Sequence, residues 1–141
     1  MDGRDKIAES FRNKGYRATH QRIAITSIIL GCRSHPSAEE VHEIVSRQYP
    51  TISLSTVYNT LHILKEIDFV NEINIKGKTR YDSNSETHIN IICEECGKIL
   101  DIQEPSIYNN IDNLFKKSGF RISGKQLSLY GVCSSCLRNN K

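Results

Sequence analysis

The chain has 141 residues, of which 25% are charged and 38% hydrophobic, with a formal net charge of +3. That length suits one ordinary domain or two small ones, and the composition is that of a folded protein rather than a disordered tail. No apolar run approaches the roughly 20 residues that span a bilayer, and the charged start MDGRDKIAES lacks the apolar stretch of a secretory signal, so no membrane association and a cytoplasmic address are expected.

The charge is unevenly placed. From Ser10 to Ala38 there is no Asp or Glu, while Arg12, Lys14, Arg17, Arg22 and Arg33 all fall there. A one-sign segment of this kind suits a polyanion, the alternative being a solvated basic patch with no partner.

Asp5 to Asn13 reads as a short helix with Ile7, Ala8 and Phe11 on one side and Gly15 placed after its end. Thr19 can cap a second helix, in which Ile25, Ile28 and Ile29 recur at helical spacing before Gly31. The run Ser37-Ala-Glu-Glu40 fits a capping box, and Val41, Ile44 and Val45 predict an apolar stripe through Arg47, with Pro50 barring continuation. Ser53 can cap a fourth helix whose Leu54, Val57, Leu61 and Leu64 form a buried seam. Its other face offers Ser55, Thr56, Tyr58, Asn59 and His62, hydrogen-bonding groups near a helix start of the kind that reads the major groove. An ordinary polar helix face is the alternative. Phe69 to Ile75 and Thr79 to Asp82 read as two strands joined at Lys76-Gly77-Lys78, a hairpin with a basic tip. Helices followed by a basic hairpin predict a winged helix-turn-helix that binds DNA.

The polar stretch 83–87 predicts a domain boundary, with residues 1–84 in the first domain and 85–141 in the second. The second domain is too short for a generous core and calls for a metal or a partner subunit. Within it, His88 to Ile92 and Ile99 to Ile102 read as strands. Ser106 to Ser118 reads as a helix with Ile107, Ile111, Leu114 and Phe115 inward and Gly119 as its stop. Phe120 to Val132 gives one or two further strands interrupted near Gly124, and the Asn-Asn-Lys end is expected to fray. The overall expectation is an α+β chain: a winged helix followed by a small α/β domain.

Two ligand sets stand out. Cys93-x-x-Cys96 and Cys133-x-x-Cys136 supply four thiolates from two tight knuckles, which suits structural zinc in a reducing compartment. A redox Cys-x-x-Cys pair and an iron site are the alternatives, and Cys32 stands outside the pattern. The second set is mixed in character. On a strand, His88 and Asn90 share a face, Asp101 lies on the next strand, Asp82 ends the hairpin and His35 precedes the third helix. An ion shared by them would be iron, manganese or zinc rather than magnesium or copper(I). No nucleophile, base and orienting group line up, so an enzyme is not expected.

Taken together, Thr19-His-Gln-Arg22, His35-Pro-Ser-Ala-Glu39, Ser55-Thr-Val-Tyr-Asn59, Tyr81-Asp82, His88-x-Asn90-x-x-Cys93-x-x-Cys96-Gly-Lys, Leu129-Tyr-Gly-Val-Cys133 and Cys136 resemble the ferric uptake regulator family of metal-responsive repressors. The resemblance covers essentially the whole chain. It implies a homodimer joined through the C-terminal domains, with two winged helices on a pseudo-palindromic double-stranded DNA operator. Tyr58 would then contact bases with Ser55, Thr56 and Asn59 beside it. Arg17, Thr19, Gln21, Arg22 and the wing residues Lys76 and Lys78 would lie along the DNA. Cys93, Cys96, Cys133 and Cys136 match the family's structural zinc site, and His35, Asp82, His88, Asn90 and Asp101 fall on its regulatory site for Fe2+ or Mn2+, or for Zn2+.

Asp82, where iron-sensing members more often carry Glu, resembles the peroxide-sensing branch, in which bound ferrous iron leads to oxidation of a ligand histidine; His35 and His88 are the counterparts. Asn90 departs from the usual His, Lys125 stands where many members place a further metal-binding His, and His20 replaces a usual Pro. The competing expectations are a zinc- or iron-responsive uptake regulator that ignores peroxide and, in another class, a zinc-stapled interaction module without DNA activity.

Overall fold

The computed structural model describes residues 3–32, 34–84, 86–122 and 125–139. Arg33 of the basic run, Ser85 of the polar stretch, the predicted interruption at Gly124 and the terminal Asn140-Lys141 lie outside the described residues. The chain divides into two compact units, Met1–Ser85 and Glu86–Lys141.

The first unit opens with four helices, α1 (Gly3–Asn13), α2 (His20–Gly31), α3 (Ala38–Ser46) and α4 (Leu54–Glu66). Three of them start on the predicted caps: the hydroxyls of Thr19, Ser37 and Ser53 accept from the backbone N–H of Arg22, Glu40 and Thr56. Each cap satisfies an N–H group that the helix itself leaves without a partner. Phe11, Ile25, Ile29, Val41, Val45, Val57, Leu61 and Leu64 close the core at 1% exposure or less. Two predicted core positions are corrected. Ile44 flanks the Ala38-Val41-Val45 line that faces the core and is left exposed, and Leu54, the first residue of α4, is also exposed, while Thr60 and Ile63 complete the seam.

A hairpin follows, β1 (Asn71–Ile75) against β2 (Lys78–Asp82), antiparallel from Asn71↔Asp82 to Ile75↔Lys78. Lys78 is therefore the first strand residue, and the turn is Lys76-Gly77 alone. Both turn residues have positive φ, 49° and 78°, as a two-residue turn matched to strand twist requires. Phe69 and Val70 do not extend β1 as predicted. Their N–H groups return to the carbonyl of Leu64 after a left-handed Asp68, closing the end of α4.

The second unit holds β3 (Ile89–Cys93), β4 (Ile99–Ile102), α5 (Pro105–Lys116), β5 (Leu127–Gly131) and α6 (Ser134–Asn139). The sheet order is β4-β3-β5, with β3 antiparallel to β4 and parallel to β5. A parallel neighbour needs a long crossover, and α5 lies within it. His88 stands just before β3 rather than inside it. The predicted inward face of α5 is also corrected: Tyr108 is its buried side chain, while Ile107, Leu114 and Phe115 are exposed, because this short unit has too little mass to cover them. Of the one or two strands expected over Phe120 to Val132, the described residues show β5, and α6, not foreseen, carries Cys136. Among the described residues no helix is long and apolar enough to cross a membrane.

Candidate metal centres and nucleic-acid face

The four paired cysteines meet. Cys93 ends β3, and the chain then turns through Gly97 (φ 78°), with the Gly97 N–H donating to the Cys93 carbonyl at 3.0 Å. The Glu94 N–H donates to the Gly131 carbonyl at 2.8 Å, fixing this knuckle to the end of β5, from which Cys133 and Cys136 follow. The sulfurs of Cys93 and Cys136 lie 3.9 Å apart, those of Cys96 and Cys133 3.8 Å, and all four fall within 4.8 Å of one another. Four thiolates at about 2.3 Å from a tetrahedral zinc sit about 3.8 Å from each other, so the set fits that ion and is too open for disulfides.

The electrostatics agree. Backbone N–H groups of Cys96 and Cys133 pull the Cys93 thiol down to about 6, and the Cys136 backbone N–H lowers Cys133. Cys136 is pushed up to about 12, first by its hydrogen bond with Cys133, because crowded sulfurs do not all ionise without a cation among them. Cys32 stands apart, its sulfur 3.1 Å from the Ser34 hydroxyl.

The nitrogen and oxygen donors are arranged within each unit. In the first, the Nε2 of His35 lies 3.8 Å from the Oδ1 of Asp82, with both side chains buried. That spacing suits two donors to one ion. His35 has a φ of 53°, in the left-handed region, and Asp82 Oδ1 also accepts from the Asn84 N–H at 3.0 Å. In the second unit, the Glu86 carbonyl accepts from Nδ1 of His88 at 2.6 Å, which leaves the lone pair on Nε2, the form in which imidazole binds metals. Asn90 is buried on β3, and Asp101 is its register partner on β4. Tyr108 donates to the His88 carbonyl, tying α5 to the residue before β3.

Most residues expected along DNA lie open on the first unit: Arg17, Thr19, Ser55, Tyr58, Asn59, Lys76 and Lys78 are exposed, and Gln21, Arg22 and Thr56 half-buried. Arg22 Nη1 donates to the Arg17 carbonyl at 2.9 Å, and the Thr56 hydroxyl lies 2.9 Å from that of Ser53. Tyr58 is 44% exposed, and its hydroxyl donates to Glu39 Oε1 at 2.6 Å. The bond raises the Tyr58 phenol and holds the Glu39 carboxyl below its ordinary range. Sequence reasoning gave Glu39 no role beyond its place in the family motif and passed over Arg80. A capping-box pattern explains Glu40 and gives no reason to single out Glu39, and no local signal joins Arg80 to residues 45 positions earlier.

The ferric uptake regulator family model matches residues 13–130. The chain belongs to the ferric uptake regulator family. A peroxide-responsive repressor PerR from Staphylococcus aureus is 38% identical over 129 residues, covering 90% of this chain and 86% of that protein. Among solved structures, the Campylobacter jejuni peroxide stress regulator is 32% identical with a TM-score of 0.74, over 96% of this chain and all of that one. The Helicobacter pylori ferric uptake regulator is 25% identical with a TM-score of 0.79, over 94% and 90%.

As a member of this family the chain is a metal-dependent DNA-binding regulator and not an enzyme. The H. pylori protein is described as having three functional metal-binding sites. Here Lys125, at the position the resemblance gives to a further His ligand, places its ammonium 2.6 Å from Asp112 Oδ1 and 5.6 Å from the centre of the Tyr108 ring.

Proposed function

We propose that the chain is a homodimeric, cytoplasmic repressor that holds a pseudo-palindromic operator when Fe2+ or Mn2+ is bound by His35, Asp82, His88, Asn90 and Asp101, and that peroxide releases it. Residues 1–84 serve as the DNA-binding domain and 85–141 as the dimerisation and metal-binding domain. The observation that carries this reading is the buried His35–Asp82 pair, 3.8 Å apart, whose carboxylate lies on the same wing strand that presents Lys78 to solvent. A buried imidazole and carboxylate at that spacing are a half-built ion site.

An ion that favours the operator-binding form makes ion binding and operator binding one linked equilibrium, so each strengthens the other by the same factor. Tyr58, at an accessible point early in α4, reaches a thymine methyl, with Ser55, Thr56 and Asn59 beside it. Arg17, Arg22 and the Lys76 and Lys78 wing hold phosphates and set the salt dependence. Ferrous iron, when bound, supplies the redox chemistry that turns peroxide on a nearby imidazole. The chain's own part is to supply His35 and His88; the bond from His88 Nδ1 to the Glu86 carbonyl leaves Nε2 as the donor atom that ring offers an ion.

Dimerisation is supported by the second unit's sheet. Register places Leu100, Ile91 and Leu129 in one row across it, and Leu100 and Leu129 remain about half exposed. An apolar row open to solvent suits an isologous partner, and a two-fold dimer matches a pseudo-palindrome. Asn90 favours a second reading, a metal regulator indifferent to peroxide, because a neutral amide oxygen is a harder and weaker donor than imidazole.

The test is operator binding with Fe2+, Mn2+ and Zn2+ in turn, before and after peroxide, with mass analysis of the His35 and His88 peptides. Loss of binding with iron alone, together with added oxygen on either peptide, is the expected result. Binding retained after peroxide with every metal, and no added oxygen on either peptide, supports the second reading.

A further inference from the structure

The loop that carries His35 is held by the wing. His35 occupies the left-handed backbone region that residues other than glycine rarely adopt. Three hydrogen bonds from β2 surround it. Arg80 donates from Nε to the His35 carbonyl and from Nη2 to the Ser34 carbonyl at 3.1 Å, and the Tyr81 N–H donates to the Pro36 carbonyl at 2.9 Å. Alternation along the strand puts Lys78, Arg80 and Asp82 on one face of β2. One strand face thus carries the carboxylate beside the imidazole, the guanidinium that grips the imidazole's backbone, and a lysine next to the turn.

We infer that Arg80 is a positioning residue for the regulatory ion: its guanidinium fork fixes the left-handed backbone of His35 so that Nε2 faces Asp82. The inference rests on the reading of His35 as a ligand. A planar fork with donors fixed relative to one another matches two successive carbonyls, whereas the ammonium of lysine is a point charge on a flexible stem and cannot hold both in one geometry. The side chain is half-buried and turned to main-chain acceptors, so its work is on the loop. It also makes the ion site and the wing one mechanical piece. A shift of the His35 loop is carried into β2, and from there into the Lys76-Gly77 turn.

The experiment titrates Mn2+ calorimetrically into the zinc-loaded full chain as wild type, Arg80→Lys, His35→Ala and the double variant. Arg80→Lys keeps the charge and the zinc, and it is expected to raise the Mn2+ Kd about tenfold or more, the usual scale for a residue that orients a ligand. In the His35→Ala background the same change should add nothing, since Arg80 acts through His35. A second measurement covers the loop itself: amide exchange at Tyr81 should quicken in Arg80→Lys without Mn2+. Wild-type affinity in Arg80→Lys beside a weakened His35→Ala overturns this inference alone. So do additive losses in the double variant, which would mean that Arg80 supports the fold and not the ligand, and so does unchanged Tyr81 exchange. Wild-type affinity in His35→Ala overturns the ligand reading and this inference with it.

Discussion

The two units keep their order by different means. The first closes a core of its own, with Phe11, Ile25, Ile29, Val57, Leu61 and Leu64 essentially without exposure. In the second, among the described residues, the buried apolar positions are Ile89, Ile92, Cys93 and Tyr108, and one of these is a thiol of the zinc set. Its larger apolar side chains lie outside: Leu100, Leu114, Phe120, Leu129 and Leu137 are each about half exposed or more. Side-chain burial makes the first unit self-sufficient, while the second, with so small a buried set, relies on its four-cysteine metal site, and the proposed partner would cover its open apolar row.

The largest expected effect tests the second half of that contrast. Cys133→Ser should abolish zinc binding, whose apparent free energy in small structural sites is on the order of 10 kcal/mol, and with it the order of the second unit. Peptide-resolved hydrogen exchange should then show residues 89–139 unprotected and residues 3–84 still protected. Protection retained throughout would show that the second unit is no more dependent on its metal than the first.

The converse variant is Leu61→Ala. Emptying a fully buried position should cost the first unit about 2–5 kcal/mol, read as an earlier thermal transition at unchanged zinc content. Next comes Leu129→Glu, which places a charge in the exposed apolar row. It should weaken the dimer by roughly 1.5–3 kcal/mol by sedimentation, while both units stay folded. An unchanged dimer would move the interface off this row. Tyr58→Ala should lower discrimination between operator and scrambled DNA by about 1–3 kcal/mol, with metal content and stability unaltered.

The smallest effect is a titration. The Tyr58 bond holds the folded Glu39 carboxyl below its ordinary range. The contribution of that bond is therefore present above the ordinary carboxylate range and is lost as pH falls through the depressed folded value. Tyr58→Phe should move the Glu39 titration up toward the ordinary carboxylate range by side-chain NMR, part of the depression remaining from the backbone, Ser37 and Lys78. A Glu39 curve that does not move would show the bond to be absent in solution.

Much of the first unit was legible because its signals are local. Thr19, Ser37 and Ser53 cap three helices as their spacing predicts, and Val57, Leu61 and Leu64 form the seam. Errors arose where periodicity runs past what a short element buries, at Ile44 and Leu54, and where a strand pattern ran back into a helix end, at Phe69 and Val70. The second unit was harder for a physical reason. Amphipathic spacing in α5 says that Ile107, Leu114 and Phe115 share a face, but not whether the chain itself covers that face. The cysteine set was readable from spacing alone, since two Cys-x-x-Cys knuckles leave few other uses. The grip of Arg80 on the His35 loop was not, because it joins a side chain to main-chain carbonyls 45 and 46 positions away, and carbonyls carry no sequence signature.

The parallel pairing of β5 with β3 has a consequence in time. Cys93 and Cys136 are 43 residues apart. At translation rates of about 5–20 residues per second, the first knuckle waits roughly 2–9 s for the second. Until β5 docks, no zinc can be enclosed by four thiolates, and the strand that carries Leu129 has no place in the sheet. A nascent or truncated chain that stops short of Cys133 can therefore fold its winged helix without acquiring the metal staple. The zinc site thus acts as a completion mark: only a chain synthesised through Cys136 holds all four thiolates of the second unit.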